Sequence, residues 1–304
     1  MIELEGVSKT YRSLVRRRTV RALEDLTLSI PGGEVFGIAG PNGAGKSTLI
    51  SLLVGFLHPT TGSVRVGGLT PRAWVERHGV SYLTELVALP PRWTVDQALA
   101  RLATLAGLDA TARRPRIERA IELLGLEEHR TKQVRQLSKG NLQRLGIAQA
   151  LLDESDLVIL DEPTHGLDPV YTQRFREIVS ELRRPERTIL IASHNLDELE
   201  RLTDRVAILG RGRLQRIVGG AAEEPHGGTV TYRLVVAGDP AMTEGFPGTA
   251  VEGRRGEWRM EGDLPKLNAA IAELVAAGTL VTAFYPEESR LEVEFRRAME
   301  PREP

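Results

Sequence analysis

The sequence predicts an α/β fold followed by a small α+β domain. Two observations carry this. From residue 1 to about 218, short apolar runs alternate with stretches of helical periodicity, and a Gly/Glu/Pro-rich segment at 219–228 then ends that pattern. Val35–Ala39, Leu157–Leu160, Thr188–Ala192 and Arg205–Leu209 carry neither alternation nor polar interruption. Such runs are strands covered on both faces, so one largely parallel sheet is expected. Between the first two runs, residues 93–152 place Val95, Leu99 and Leu102, then Ile117, Ile121 and Leu124, at helical spacing. This stretch is expected to be a helical insertion whose apolar stripes pack on their own domain. Past the linker at 219–228, residues 229–304 form the second domain. There Val230, Tyr232, Leu234 and Val236 alternate as a strand, and Leu267, Ile271, Leu274 and Val275 mark a helix. Leu280–Tyr285 and Leu291–Phe295 are expected as further strands, and the polar tail after Arg297 is expected to fray.

Composition narrows the function classes. At 304 residues the chain is long enough for about two domains. Its 41% hydrophobic and 27% charged content excludes disordered, collagenous and coiled-coil classes. Forty Lys and Arg against forty-one Asp and Glu leave a formal charge of -1, so electrostatic recognition has to be local. With no cysteine, disulfides, thiolate metal sites and Cys nucleophiles are excluded, which suits a reducing compartment. The longest nearly apolar run, Leu49–Leu57, is broken by Ser51 and falls short of the roughly 20 residues a membrane-spanning helix needs. No basic region leads into an apolar stretch after Met1, so a cytoplasmic location is expected.

The first buried run leads directly into Gly40-Pro41-Asn42-Gly43-Ala44-Gly45-Lys46-Ser47-Thr48, and a helical pattern starts at Leu49. This is a P-loop in its required context, strand before and helix after. Glycines let backbone N–H groups converge on phosphate oxygens, and the helix N-terminus adds a positive dipole. Lys46 is placed to reach the β and γ phosphates and the Ser47 hydroxyl to ligate Mg²⁺. The second run ends in Asp161-Glu162-Pro163-Thr164. A carboxylate ending a parallel strand beside a P-loop can hold the metal, which assigns Asp161. Glu162 is the candidate general base for water.

Leu137-Ser138-Lys139-Gly140-Asn141-Leu142-Gln143-Arg144 opens a helix just before the second run and resembles the signature motif of ATP-binding cassette (ABC) ATPases. Gly166-Leu167-Asp168-Pro169 is similar to that family's D-loop, and Ser193-His194 to its switch histidine. The resemblance covers residues 1 to about 218 and implies the P-loop NTPase fold of the ABC ATPase type. It implies that Ser138 and the amides at Gly140 and Asn141 meet the γ phosphate of ATP held by an opposing subunit. It gives His194 a γ-phosphate contact, Asp168 a place at the nucleotide and Tyr11 a ring stacked on adenine, and makes Gln143 and Asn141 supports of the geometry. Glu85 stands where the Q-loop usually has glutamine, and would ligate Mg²⁺ or water. This departure and Lys139 in the signature resemble the branch that serves ABC-2-type exporters, as does Ser289–Phe295, similar to the close of drug-exporter ATPases.

The resemblance implies an ATPase using ATP and Mg²⁺, working as a dimer with itself or a related subunit. It would sit on the cytoplasmic face of the membrane, against a separately encoded ABC-2-type permease. The segment from Glu85 to Trp93 is where such ATPases receive the permease. Two other readings stay open at this point. One is a soluble ABC ATPase acting on ribosomes or nucleic acid, for which Arg16-Arg17-Arg18 and Arg21 offer a basic run. Against it, the chain has neither a second cassette nor a long coiled-coil insertion, so no nucleic-acid partner is expected. The other is a regulatory module that closes on ATP and hydrolyses poorly, which Glu85 would favour and the set Lys46, Asp161, Glu162 and His194 opposes.

Overall fold

The computed structural model describes residues 1–12, 19–219, 230–237 and 246–300. The Arg16–Arg18 run and nearly all of the 219–228 linker lie outside them. The chain divides into two compact units, Met1–Gly220 with Ala298–Pro304, and Ala221–Arg297.

The first unit begins with β1 (Ile2–Arg12) and β2 (Thr19–Ile30), an antiparallel pair. The buried β3 (Val35–Ala39) follows, then α1 (Lys46–Leu53) and β4 (Thr61–Val66), which joins the other edge of β1. The resulting layer β2-β1-β4 was not expected from the apolar runs. Irregularities in the β1–β2 pairing between Leu4 and Val7 and again around Lys9 break its period-2 pattern in sequence. Helix α2 (Pro71–His78) is capped by Thr70, whose hydroxyl accepts from the Ala73 N–H at 3.3 Å, and β5 (Ser81–Leu83) follows.

The helical stretch contains α3 (Val95–Leu105), opened by a reciprocal Thr94–Gln97 capping box, and α4 (Ala110–Leu123), capped by Asp109. It ends in α5 (Lys139–Ala150), with Ser138 as the cap. Then come β6 (Leu157–Asp161), α6 (Pro169–Leu182), β7 (Thr188–Ser193), α7 (Leu196–Leu202), β8 (Arg205–Gly210) and β9 (Arg213–Gly219). The six-stranded sheet has the order β5-β6-β7-β3-β8-β9 and is parallel except for β9, which runs against β8. Leu49, Ile50, Leu52 and Leu53 of α1 join both layers in one core, with Ile2, Leu4 and Leu28 of the antiparallel layer and Phe36, Ile159 and Leu190 of the parallel sheet. Each such buried side chain contributes about 1.5–3 kcal/mol by leaving water, so the P-loop helix is anchored from two sides.

Strand register places the site. Ala39 pairs with Ser193 and Asp161 with Ala192, so the loops leaving β3, β6 and β7 emerge side by side at the carboxyl edge of the sheet.

The second unit contains β10 (Val230–Val236), β11 (Gly248–Ala250), β12 (Glu257–Gly262), α8 (Leu264–Ala276), β13 (Val281–Pro286) and all but the last two residues of α9 (Arg290–Met299). Its antiparallel sheet has the order β11-β12-β10-β13, and Leu234, Val236, Met260, Leu267 and Leu274 make its core. Leu291–Phe295, expected as a strand, is instead part of α9. Ser289 and Glu292 form a reciprocal cap: the Glu292 N–H donates to the Ser289 hydroxyl at 3.2 Å and the Ser289 N–H to the Glu292 carboxylate at 2.8 Å. A Ser-x-x-Glu start therefore outweighs five residues of accidental alternation. Of the tail expected to fray after Arg297, Ala298 and Met299 are still in α9, and residues 301–304 lie outside the described residues. Among the described residues no helix is long and apolar enough to cross a membrane.

Candidate functional site

Gly45 caps α1 in the left-handed region, at φ 109°, and no side chain satisfies the helix's first amides. They are left for a ligand, and an anion is what a helix N-terminus attracts. Two glycines are required by space: a Cβ on Gly45 would lie 2.7 Å from the Ala22 carbonyl oxygen, and one on Gly40 2.7 Å from that of Leu209. Gly43, at φ 82°, faces open space. Pro41 accepts the Ala44 N–H at 3.0 Å, and the buried Lys46 donates to the Gly40 carbonyl at 2.6 Å, folding its ammonium back over the loop. Asn42, Ser47 and Thr48 complete the turn into the helix.

Ser47, Glu85 and Asp161 line one cleft of about 610 Å³ together with Gln149. Gln149 braces β5 itself by donating to the Tyr82 carbonyl at 3.0 Å. Burial, then the charges of Glu85 and Glu162, push the Asp161 carboxyl up to about 6, opposed by Lys46. A buried carboxylate beside two others lacks a cation. Hydroxyl and carboxylate oxygens form a hard donor set, the kind that Mg²⁺ takes. Among the described residues no three His, Cys, Asp or Glu side chains form a self-contained metal cage. Mg²⁺ needs no such cage, because one or two carboxylates plus phosphate and water complete its shell. The residues present therefore fit Mg²⁺ with a nucleotide.

Glu162 sits at φ 51°, an unusual backbone conformation for a side chain of its size, held by its N–H donating to the Ala192 carbonyl at 2.8 Å. Its carboxylate accepts from the Ser193 hydroxyl at 3.0 Å and the His194 N–H at 3.0 Å, and meets His194 Nδ1 at 2.8 Å. Its side chain is only 8% exposed, against 60% for His194. The strained backbone thus aims a dry, fully oriented carboxylate at the carboxyl edge of the sheet. Ser193 was quoted in the sequence only as a neighbour of His194. Its bond to Glu162 is invisible there because 31 residues separate the pair.

The signature residues gather around α5. The Ser138 hydroxyl accepts from the Asn141 N–H at 3.2 Å, and a Cβ on Gly140 would lie 3.0 Å from the Gly166 carbonyl oxygen. Gln143 donates to the Glu162 and Pro163 carbonyls at 3.1 and 3.0 Å, so it supports the backbone that carries the candidate base. Arg144 donates to the Leu124 and Gly125 carbonyls and stacks over Tyr171 at 3.8 Å, with Asn141 also bonded to it. Asp168 caps α6 by accepting from the Tyr171 N–H at 2.9 Å. Lys139 meets His165, a contact the sequence did not reveal. Ser138, Gly140, Asn141 and Asp168 do not line the cleft of Ser47 and Asp161. Tyr11, next to last in β1, pairs with Val20, two residues along β2 from the Ala22 carbonyl that abuts Gly45. Its exposed ring lies 5.6 Å from Lys9 Nζ.

The sequence profile of the ABC transporter family matches residues 23–165. An uncharacterized ABC transporter ATP-binding protein of Nostoc sp. is 37% identical over 266 residues, covering 86% of this chain and 73% of its own. The Nod factor export ATP-binding protein I of Burkholderia orbicola is 34% identical, covering 74% and 71%. Among solved structures, a dimeric bacterial ABC transporter cassette superposes with a TM-score of 0.66 at 24% identity, covering 72% of this chain and 98% of that one.

Proposed function

The chain belongs to the ABC transporter family as an ATP-binding protein, and we propose that it is the ATP-hydrolysing motor of an ABC-2-type exporter. Export is supported by the name of the Burkholderia relative. The observation that carries hydrolysis is the fully oriented Glu162 carboxylate at the end of β6, held by Ser193 and His194 at the end of β7, which pairs with the P-loop strand. ATP phosphates lie on the α1 amides and Lys46 neutralises the β and γ oxygens. Ser47 and Asp161 hold Mg²⁺, with Glu85 on the same cleft; the ion, when bound, draws charge from the phosphate oxygens. Glu162 takes a proton from the attacking water, whose oxygen bonds the γ phosphorus as the bond to the ADP oxygen breaks. His194 and Ser193 keep that carboxylate in place, and His194, exposed, is free to meet the γ phosphate.

Ser138 and its helix N-terminus are a second anion site outside the Mg²⁺ cleft, which fits the face-to-face use of two subunits around each ATP. The permease supplies the membrane path, and ATP-driven closure of the dimer is the stroke passed to it. The test is ATP turnover and ATP-dependent dimerisation of the purified chain beside Glu162→Gln. Turnover in the wild type, with an inactive variant trapped as a dimer by ATP, is the expected result. A Glu162→Gln protein that hydrolyses at the wild-type rate removes the base assignment. The exporter reading is tested separately, by co-purification with a candidate ABC-2-type permease from the same genome.

A further inference from the structure

The opposite edge of the parallel sheet holds a different chemistry. Here β5 and β6 begin, α6 ends, and Arg187 precedes β7. A cavity of about 60 Å³ opens between this edge and α4, lined by Arg116, Arg119, Arg184 and Arg187. Arg187 is the anomaly. It is 3% exposed, its Nε has no hydrogen-bond partner, and its one side-chain hydrogen bond is long, 3.4 Å to the Leu182 carbonyl. Among the described residues neither Arg119, Arg184 nor Arg187 forms an ion pair. Carboxylates also line the cavity; two of them face arginines and the third a hydroxyl. Glu154 faces Arg116 at 3.6 Å, Glu181 faces Arg174 at 4.0 Å, and Asp153 accepts from the Ser155 hydroxyl at 2.6 Å.

A buried guanidinium whose Nε has no hydrogen-bond partner is costly to keep, so such groups are retained where something pairs with them. Burial, then the neighbouring Arg184, hold the Arg187 pKa down by more than Glu154, Asp156 and Glu186 raise it, so added negative charge at the unpartnered Nε would be favourable. The planar fork of arginine matches a phosphate oxygen pair, and the volume suits one phosphoryl group in place of two waters. We propose that this cavity is a second, non-catalytic binding site for a phosphate dianion, with Arg187 as its floor and Arg116, Arg119 and Arg184 as its walls. The ligand is inorganic phosphate or the phosphoryl end of a small ester, whose remainder leaves through the open rim. Because Arg116 and Arg119 belong to α4 and Arg187 immediately precedes β7, an occupied site ties the helical insertion to the loop that enters the sheet. It does so at the far edge from the P-loop, and it does not depend on the exporter reading.

The test is a titration of the full chain with sodium phosphate at constant ionic strength, followed by thermal midpoint and calorimetry. A ligand bound only by the folded state raises the midpoint with concentration. The rise is expected in the wild type and in Lys46→Ala, which disables the P-loop lysine. It is expected to vanish in Arg187→Met. In Arg119→Ala, an exposed change that spares the fold, affinity should fall about fivefold or more. If Arg187→Met does not fold, Arg119→Ala decides. Glycerol phosphate in a second arm distinguishes the sources: a stronger response than to phosphate assigns the ester, an equal or weaker one the free ion. The site is refuted by a wild-type midpoint that does not move up to about 20 mM phosphate. It is equally refuted by a response lost in Lys46→Ala, or one unchanged in Arg187→Met and Arg119→Ala.

Discussion

The candidate site of the first unit and the Arg233 cluster of the second treat charge in opposite ways. In the first, Asp161 is buried beside Glu85 and Glu162, so its carboxyl is pushed up to about 6, and Glu162 stands on a strained backbone. In the second, Arg233 is gripped by Glu257 at 2.7 Å and by Glu287, which Arg259 also meets at 2.8 Å. The Arg233 and Arg254 guanidiniums hold Glu257 below the usual carboxylate range. Burial would raise Glu287, but Arg233 and Arg259 outweigh it and hold it low. Charge neutralised inside the fold builds structure, whereas charge left unneutralised waits for a ligand. Asp161 is held under charge strain, and the carboxylates around Arg233 are not.

Four substitutions test this contrast. The largest effect is expected from Glu162→Gln, where loss of a general base lowers turnover about 10²–10⁴-fold while the melting temperature holds or rises. A variant that keeps turnover but unfolds would reverse the roles assigned to the two units. Leu234→Ala is its mirror image. It opens a cavity in the core of the second unit and costs about 2–5 kcal/mol there, with turnover per folded molecule unchanged. Chemical unfolding followed beside an ATPase assay separates these outcomes.

Asp161→Asn comes third, and its sign is the informative part. The folded pKa of about 6 lies above the ordinary value of 3.8, so the folded state binds the extra proton. The penalty is fully present above pH 6 and relieved as pH falls toward the ordinary value. The Asn variant without nucleotide should thus be more stable at pH 7 by up to about 3 kcal/mol, with no advantage below about pH 4. Wild-type affinity for Mg²⁺ with ATP should weaken as pH drops through 6, because the metal needs the ionised carboxylate. A pH-independent stability difference between the two proteins would show that Asp161 is not under charge strain. The smallest effect is that of Ser193→Ala. It removes one hydrogen bond from Glu162 at a cost of about 1 kcal/mol, and it should lower turnover without changing ATP affinity. An unchanged turnover would leave His194 alone as the group that positions Glu162.

Much of this was legible because it is local. The P-loop reads directly, since glycines at fixed spacing before a lysine and a helical run have few other uses. The strands β3, β6, β7 and β8 read well because burial on both faces leaves no polar residue to confuse them. The antiparallel layer did not, because its register shifts break the alternation that marks a half-buried strand. Leu291–Phe295 was misread because five residues cannot separate a period of 2 from one of 3.6, and the deciding cap lay just before them.

By itself the sequence determined the chemistry available: which loop cradles phosphate, which carboxylates end a strand, and where a capped helix begins. Those features depend on residues within a few positions of one another, where backbone geometry ties spacing to direction. Only the tertiary structure decided which groups meet. It set Ser193 and His194 on Glu162, Gln143 under its backbone, Glu85 beside Asp161, and four arginines around one cavity. Those pairings follow from strand order and helix packing, and pairwise charge and hydrogen-bond energies exist only once distant segments share a low-dielectric interior.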